Sequence, residues 1–225
     1  QIVHSLAKWK RLALHKYKFE VGQGIYTDMN ALRPDEDNLD NIHSVYVDQW
    51  DWERVMLPEE RTLAYLKATV RKIYAVIQRT EKYICHLYSG IEPMLPDEIM
   101  FVHSEDLQSA YPDLSPKERE HIVCREHGAV FVIGIGTALA DGAPHDGRAP
   151  DYDDWSTSTL NGYHGLNGDI LVDYPLLDCA YELSSMGIRV DAGALRHQLA
   201  LTGTQARESL LFHRRLLSGD LPLSI

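Results

Sequence analysis

Four acid-rich segments restrict what this chain can fold into. They are the run from Leu32 to Glu53 (LRPDEDNLDNIHSVYVDQWDWE), RAPDYDDWS from Arg148, GLNGDIL from Gly165 and ELSSMGIRVD from Glu182. Each sets charged or amide side chains inside or beside a strand-like stretch. Core strands rarely carry that many ionisable groups unless the groups face a ligand. The expectation is a sheet bearing one polar, nucleotide-sized site.

The rest of the pattern supplies the elements around that sheet. Ser5 is placed to cap a short helix carrying Lys8, Trp9, Lys10 and Arg11. Gly22 to Arg33 and Ser44 to Glu53 read as strands. Joined by a charged loop, Pro34 to Asn41, they suggest an antiparallel hairpin. Leu63, Leu66, Val70, Ile73, Ile77, Ile84 and Leu87 recur at helical spacing, which predicts one long helix from Pro58 to Tyr88 ended by Gly90. Ser115-Pro116-Lys117-Glu118 is a capping box, and Gly128 closes its helix. The apolar run Ala129 to Gly136 is a buried strand. Asp169 to Asp173 and Tyr181 to Val190 are further strands. Asp191 caps a helix ending near Gly203, and a last helix runs from Gln205 to Leu217. The class is α+β, a mainly antiparallel sheet flanked by helices.

Charge narrows the function. With 33 acidic against 22 basic residues, the net charge of −11 disfavours nucleic acid held by bulk electrostatics. No apolar run approaches a membrane span. Cys85, Cys124 and Cys179 are far apart and match neither a disulfide framework nor a zinc site, so they read as free thiols in a cytoplasmic protein.

Alternation along a strand sorts the candidate residues. Val45, Val47, Gln49, Asp51 and Glu53 share one face, and Tyr46, Asp48, Trp50 and Trp52 the other. Gln49 and Asp51 suit the ammonium or amide of an amino acid; the same segment also reads as a solvated edge strand. Arg33 can chelate a phosphate or carboxylate, or pair with Asp35, Glu36 or Asp37. Asp151, Asp153 and Asp154 can hold a cation or an ammonium, or simply cap a turn, with Arg148 to neutralise part of them. Asp169 opens one strand; Glu182 sits in another with Ser184 on its face and Arg189 beyond. Two carboxylates on adjacent strands beside an arginine suit magnesium and a polyphosphate. No Walker loop or dinucleotide fingerprint occurs.

Together VHSLAKWKR at Val3, ALRPDED at Ala31, HSVYVDQWDWERVM at His43, RAPDYDDWST at Arg148, GLNGDILV at Gly165, ELSSMGIRVD at Glu182 and HQLALTG at His197 closely resemble ammonia-dependent asparagine synthetase (aspartate–ammonia ligase). The resemblance runs over essentially the whole chain. It implies the catalytic-domain fold of class II aminoacyl-tRNA synthetases. It also implies amidation of L-aspartate with ammonia through a β-aspartyl adenylate, with ATP as substrate, magnesium as cofactor and a homodimer as the assembly. By resemblance Arg33 binds the α-phosphate and Lys10 the reacting carboxylate. Gln49, Asp51 and Asp153 orient the ammonium group. Arg189 takes the α-carboxylate, with Ser5 and Ser185 nearby. Asp169, Glu182 and Ser184 serve the nucleotide, and Asp169 and Glu182 the metal. The family carries more chain at both ends, so residues 1–225 are expected to be one catalytic domain, incomplete at each terminus.

Competing readings remain. One is a non-catalytic binder of an amino acid or nucleotide, or an inactive fragment, on the same fold. A tRNA synthetase needs an anticodon-binding domain and a basic face, for which this acidic chain has no room. A glutamine-dependent synthetase needs an N-terminal nucleophilic cysteine, and no cysteine lies near the start.

Overall fold

The computed structural model describes residues 5–33 and 39–225. Residues 1–4 and most of the expected Pro34 to Asn41 loop lie outside the described residues. The chain divides into two compact units, Gln1–Pro58 with Arg189–Ile225, and Glu59–Ile188.

In the first unit, β1 (Gly24–Leu32) and β2 (Tyr46–Arg54) form the expected antiparallel hairpin, in unbroken register from Gly24 opposite Arg54 to Leu32 opposite Tyr46. The predicted alternation holds as far as Asp51: Val45, Val47, Gln49 and Asp51 are half-buried, while Tyr46, Asp48 and Trp50 are exposed; beyond it Glu53 is buried, but Trp52, expected on the Trp50 face, is half-buried as well. Helix α1 (Ala7–Lys16) packs on the hairpin. Ser5 is not its cap. Leu6 holds that position, and the Ser5 hydroxyl accepts from the Ala7 N–H one step further out, at 3.0 Å. Arg11 is buried in α1, with Nη1 donating to the Val190 carbonyl at 2.7 Å and Nε to that of Pro222 at 3.0 Å. The chain end lies beside β2: the Arg54 N–H donates to Ile225 and the Met56 N–H to Leu223. Asp191 caps α5 (Ala192–Leu201) as expected, accepting from the Ala194 N–H. The expected Gln205–Leu217 helix is instead a 3-10 turn (Gln205–Ser209) and α6 (Leu211–Leu217), broken at an extended Leu210. The break lets Phe212 and Leu216 pack on Leu195 and Leu199.

In the second unit, Thr62 caps α2 (Leu63–Leu87), which starts later than expected because Pro58–Glu60 form a separate 3-10 turn. Then come β3 (Met100–His103), α3 (Ser104–Ala110) and α4 (Pro116–His127), whose capping box is present with both of its hydrogen bonds. Strands β4 (Ala129–Ile133), β5 (Asn167–Tyr174) and β6 (Cys179–Gly187) complete a four-stranded sheet in the order β3-β4-β5-β6. Among the described residues, only β3 and β4 pair in parallel. Strand β4 is wholly buried, as its continuous apolar run requires. Val130, Val132 and Leu171 share one sheet face with Leu107, Val123 and Cys124 from α3 and α4. The cysteines are unpaired, and burial pushes the Cys124 thiol up to about 12.

Candidate functional site

The predicted polar residues gather into two clusters, one in each unit. In the first unit, the α1-facing side of the hairpin carries Gln49, Asp51 and Glu53 in sequence. Lys10 reaches down from α1, fully buried, and ion-pairs with Asp51. Arg189 Nε donates to Glu53 at 3.2 Å, and the Ser224 hydroxyl donates to the other Glu53 oxygen at 2.6 Å. Desolvation lowers the Lys10 pKa, and Arg189 adds to it; the Asp51 and Glu53 charges oppose both without reversing the direction. Two buried cations thus face two carboxylates. Arg33 is half-buried at the end of β1, its backbone N–H bonded to the Val45 carbonyl at 2.8 Å. Its alternative partners Asp35, Glu36 and Asp37 lie outside the described residues. Ser5 is spent locally on the Ala7 N–H.

In the second unit a β-bulge decides which residues meet. On β5, Asp169 pairs with Ser185 and Ile170 with Ser184, but Leu171 pairs with Glu182, so Leu183 is the extra residue. Directly paired residues share a face. Asp169, Ser185 and Glu182 therefore stand together on the face that α4 covers. Ser184, expected beside Glu182, lies with Ile170 on the opposite face. The arginine at this face is Arg148, where Arg189 was expected: its Nη2 donates to both oxygens of Asp169 at 2.5 Å and to the Ser185 hydroxyl at 3.3 Å.

Burial and Glu120 push Asp169 up, against the pull of Arg148. Glu182 keeps solvent contact as a residue, yet desolvation around its carboxylate and then the Asp169 charge push it up to about 7. Glu120 of α4 is held differently. Burial would raise it, but a 3.0 Å bond to His145 and a 2.9 Å bond from Lys117 outweigh that and lower it.

The Asp151–Asp154 cluster divides. Asp154 is the capped turn: it accepts from the Ser156 and Thr157 N–H groups at 3.0 and 2.9 Å and pairs with Arg61 at 2.5 Å. Asp153 is buried against β6, where a Cβ on Gly187 would come within 2.9 Å of its Cγ. It adds negative charge near Arg148.

Sequence reasoning missed the Glu120–His145–Lys117 group and the pairing of Glu53 with Arg189 and Ser224. Glu53 was legible as a member of the buried face. Its partners, 136 and 171 residues away, were not.

Asp169, Glu182 and Ser185 offer hard oxygen donors on a face short of positive charge, which fits magnesium. Among the described residues no group of three or more His, Cys, Asp or Glu could by itself hold a metal ion. Magnesium suits such a sparse set, because it retains waters and phosphate oxygens as its other ligands. Among the described residues no helix is long and apolar enough to cross a membrane.

The family model for aspartate-ammonia ligase matches residues 1–225. Among solved structures, an aspartyl-tRNA synthetase from Entamoeba histolytica matches with a TM-score of 0.67 at 12% identity, covering 99% of this chain and 45% of that one. An asparaginyl-tRNA synthetase from the same organism, in complex with asparaginyl-adenylate, gives 0.65 at 10%, covering 99% and 49%. The Pyrococcus horikoshii asparaginyl-tRNA synthetase with asparaginyl-adenylate gives 0.64 at 13%, covering 98% and 49%. The chain spans about half the length of these structures. The likeness is one of fold, that of the class II aminoacyl-tRNA synthetase catalytic domain, which agrees with the class expected from the sequence.

Proposed function

Since the chain belongs to the aspartate-ammonia ligase family, we propose that it amidates L-aspartate with ammonia, using ATP. The match along residues 1–225 carries this reading. The side-chain carboxylate of aspartate is a poor electrophile, since its leaving group would be oxide. Transfer of AMP from ATP forms a β-aspartyl adenylate and releases pyrophosphate. Ammonia then attacks the activated carbonyl, giving asparagine and AMP. Attack on the α-phosphorus needs positioning and charge neutralisation more than acid–base work.

Roles follow unit by unit, with residues 1–225 as one catalytic domain. In the first unit, Lys10 holds the reacting carboxylate, Gln49 and Asp51 orient the ammonium group, and Arg189 takes the α-carboxylate. Arg33 binds the α-phosphate. The charge balance of this cluster supports the assignment: a dicarboxylic amino acid brings both signs and exchanges partners with Lys10–Asp51 and Arg189–Glu53. In the second unit, Asp169 and Glu182 hold magnesium, with the Ser185 hydroxyl beside them and Asp153 contributing charge. Magnesium, when bound, neutralises phosphate charge. The face of Ser184 turns away from these carboxylates, so Ser185 is the better-supported serine. Discrimination against glutamate comes from fixing aspartate at both ends, so that one more methylene displaces the reacting carboxylate. On family grounds the assembly is a cytoplasmic homodimer.

The test is pyrophosphate release from ATP and magnesium, with and without aspartate and ammonium. Release that requires aspartate, with asparagine formed only when ammonium is present, supports the ligase. Binding of aspartate or ATP with no release from the full-length protein overturns it in favour of a non-catalytic binder.

A further inference from the structure

Arg148 comes from the loop that precedes β5, yet its guanidinium occupies the face built by β5 and β6. A single nitrogen, Nη2, serves both Asp169 oxygens and Ser185, while Nη1 donates to its own neighbour, the Gly147 carbonyl, at 3.0 Å. A durable arginine–carboxylate pair uses two parallel N–H bonds. Here the guanidinium acts as a point charge, which is how a metal ion would act. Asp169 also lacks, among the described residues, the backbone N–H bonds that pin Asp154.

The stem of Arg148 is packed in place. Gly136 has φ +107°, and a Cβ there would fall 2.8 Å from the Arg148 Cβ and 3.0 Å from the Trp155 ring. The side chain is 18% exposed, so the guanidinium reaches the rim of the face. Asp169, Glu182, Asp153 and Glu120 crowd that face, and Arg148 and Lys117 are the cations set against them.

We propose that Arg148 is the resident cation of the Asp169–Glu182 face and exchanges with a divalent metal that arrives with a polyphosphate. Asp169 passes to the metal, and the freed guanidinium turns to phosphate oxygens, which it can grip as a fork. This rests on the metal–nucleotide reading above. It makes Arg148 a gate against free metal: without nucleotide, the guanidinium already holds the Asp169 carboxylate that a metal would need.

Manganese replaces magnesium as the probe, with free ion counted by electron paramagnetic resonance and no nucleotide or aspartate present. Arg148→Gln binds manganese about tenfold or more tighter than the unmodified protein, since removal of a charge at contact distance is worth at least that much. Arg148→Lys, which keeps the charge, stays within about threefold. Arg148→Gln combined with Asp169→Asn returns to weak binding. With saturating magnesium, Arg148→Gln binds ATP about tenfold more weakly. Circular dichroism checks that each variant is folded. The proposal is overturned if Arg148→Gln matches the unmodified protein, if Arg148→Lys tightens equally, or if tight binding survives loss of Asp169. Unchanged ATP affinity overturns the turn towards phosphate. Manganese binding needs no turnover, so a silent pyrophosphate assay and a failed gate are separate results.

Discussion

The two polar clusters are built from the same side chains and differ in balance. In the first unit, Asp51 and Glu53 already have Lys10 and Arg189, all but Asp51 buried. In the second unit, the carboxylates of Asp169, Glu182, Asp153 and Glu120 gather near the two cations Arg148 and Lys117. The first arrangement can receive a ligand that carries both signs and leave with the same charge. The second is short of positive charge, and the upward push on Asp169 and Glu182 is the physical expression of that shortage. Balance suits an amino acid; deficit suits a cation.

The sharpest way to break the comparison is Glu53→Ala. It removes the carboxylate that pairs with the buried Arg189 and accepts from Ser224, so unfolding free energy should fall by about 3–5 kcal/mol in a urea titration. A loss under about 0.5 kcal/mol, ordinary for a surface position, would show that the first cluster is not a buried balanced pair. Asp154→Ala is next. It removes the side-chain acceptor of two backbone N–H groups and the Arg61 partner, and about 3 kcal/mol should be lost. Asp153→Asn should cost less stability while altering ligand binding, so equal losses would merge the two roles.

Glu182 tests the deficit through pH. Its folded pKa, about 7, lies above the ordinary 4.5, so between those values the folded state binds more protons than the unfolded one. Stability from this group is present below pH 4.5 and falls as pH rises to about 7. Glu182→Gln should therefore gain melting temperature relative to the unmodified protein at pH 8 and lose that gain near pH 4.5. An identical difference at both pH values would remove the charge shortage from the account. The smallest expected effect is Ser184→Ala, within about 0.5 kcal/mol in stability and silent in ATP affinity. Ser185→Ala should be as mild in stability but should raise the KM for ATP. A reversal of the two would return Ser184 to the site.

Much of this architecture was legible because it is local. The hairpin was readable from the period-two alternation of Val45 to Glu53, and α4 from its capping box. The long α2 was readable from its apolar stripe, though its start was not, because Pro58–Glu60 turn separately. Strand β3 and helix α3 are short and carry little periodic signal; their place is set by burial of Leu107 against Val123 and Cys124. The break at Leu210 was illegible for the same reason: tertiary packing of Phe212 overrides a helical pattern. For the site, the residues were visible and their partners were not. Asp51 and Glu53 announced a polar face, but only the fold brings Lys10, Arg189 and Ser224 to them. Nothing in ELSSMGIRVD marks Leu183 as supernumerary.

That supernumerary residue makes β6 a sentence read in twos with one step of three. Leu183 is itself 38% exposed, so its own identity is weakly constrained. Its place outside the ladder is not: were Leu183 to pair with Leu171 in its stead, Glu182 would cross the sheet from Ser185. What keeps Asp169 and Glu182 on one face is which residue the ladder leaves out, and not which side chain fills that place.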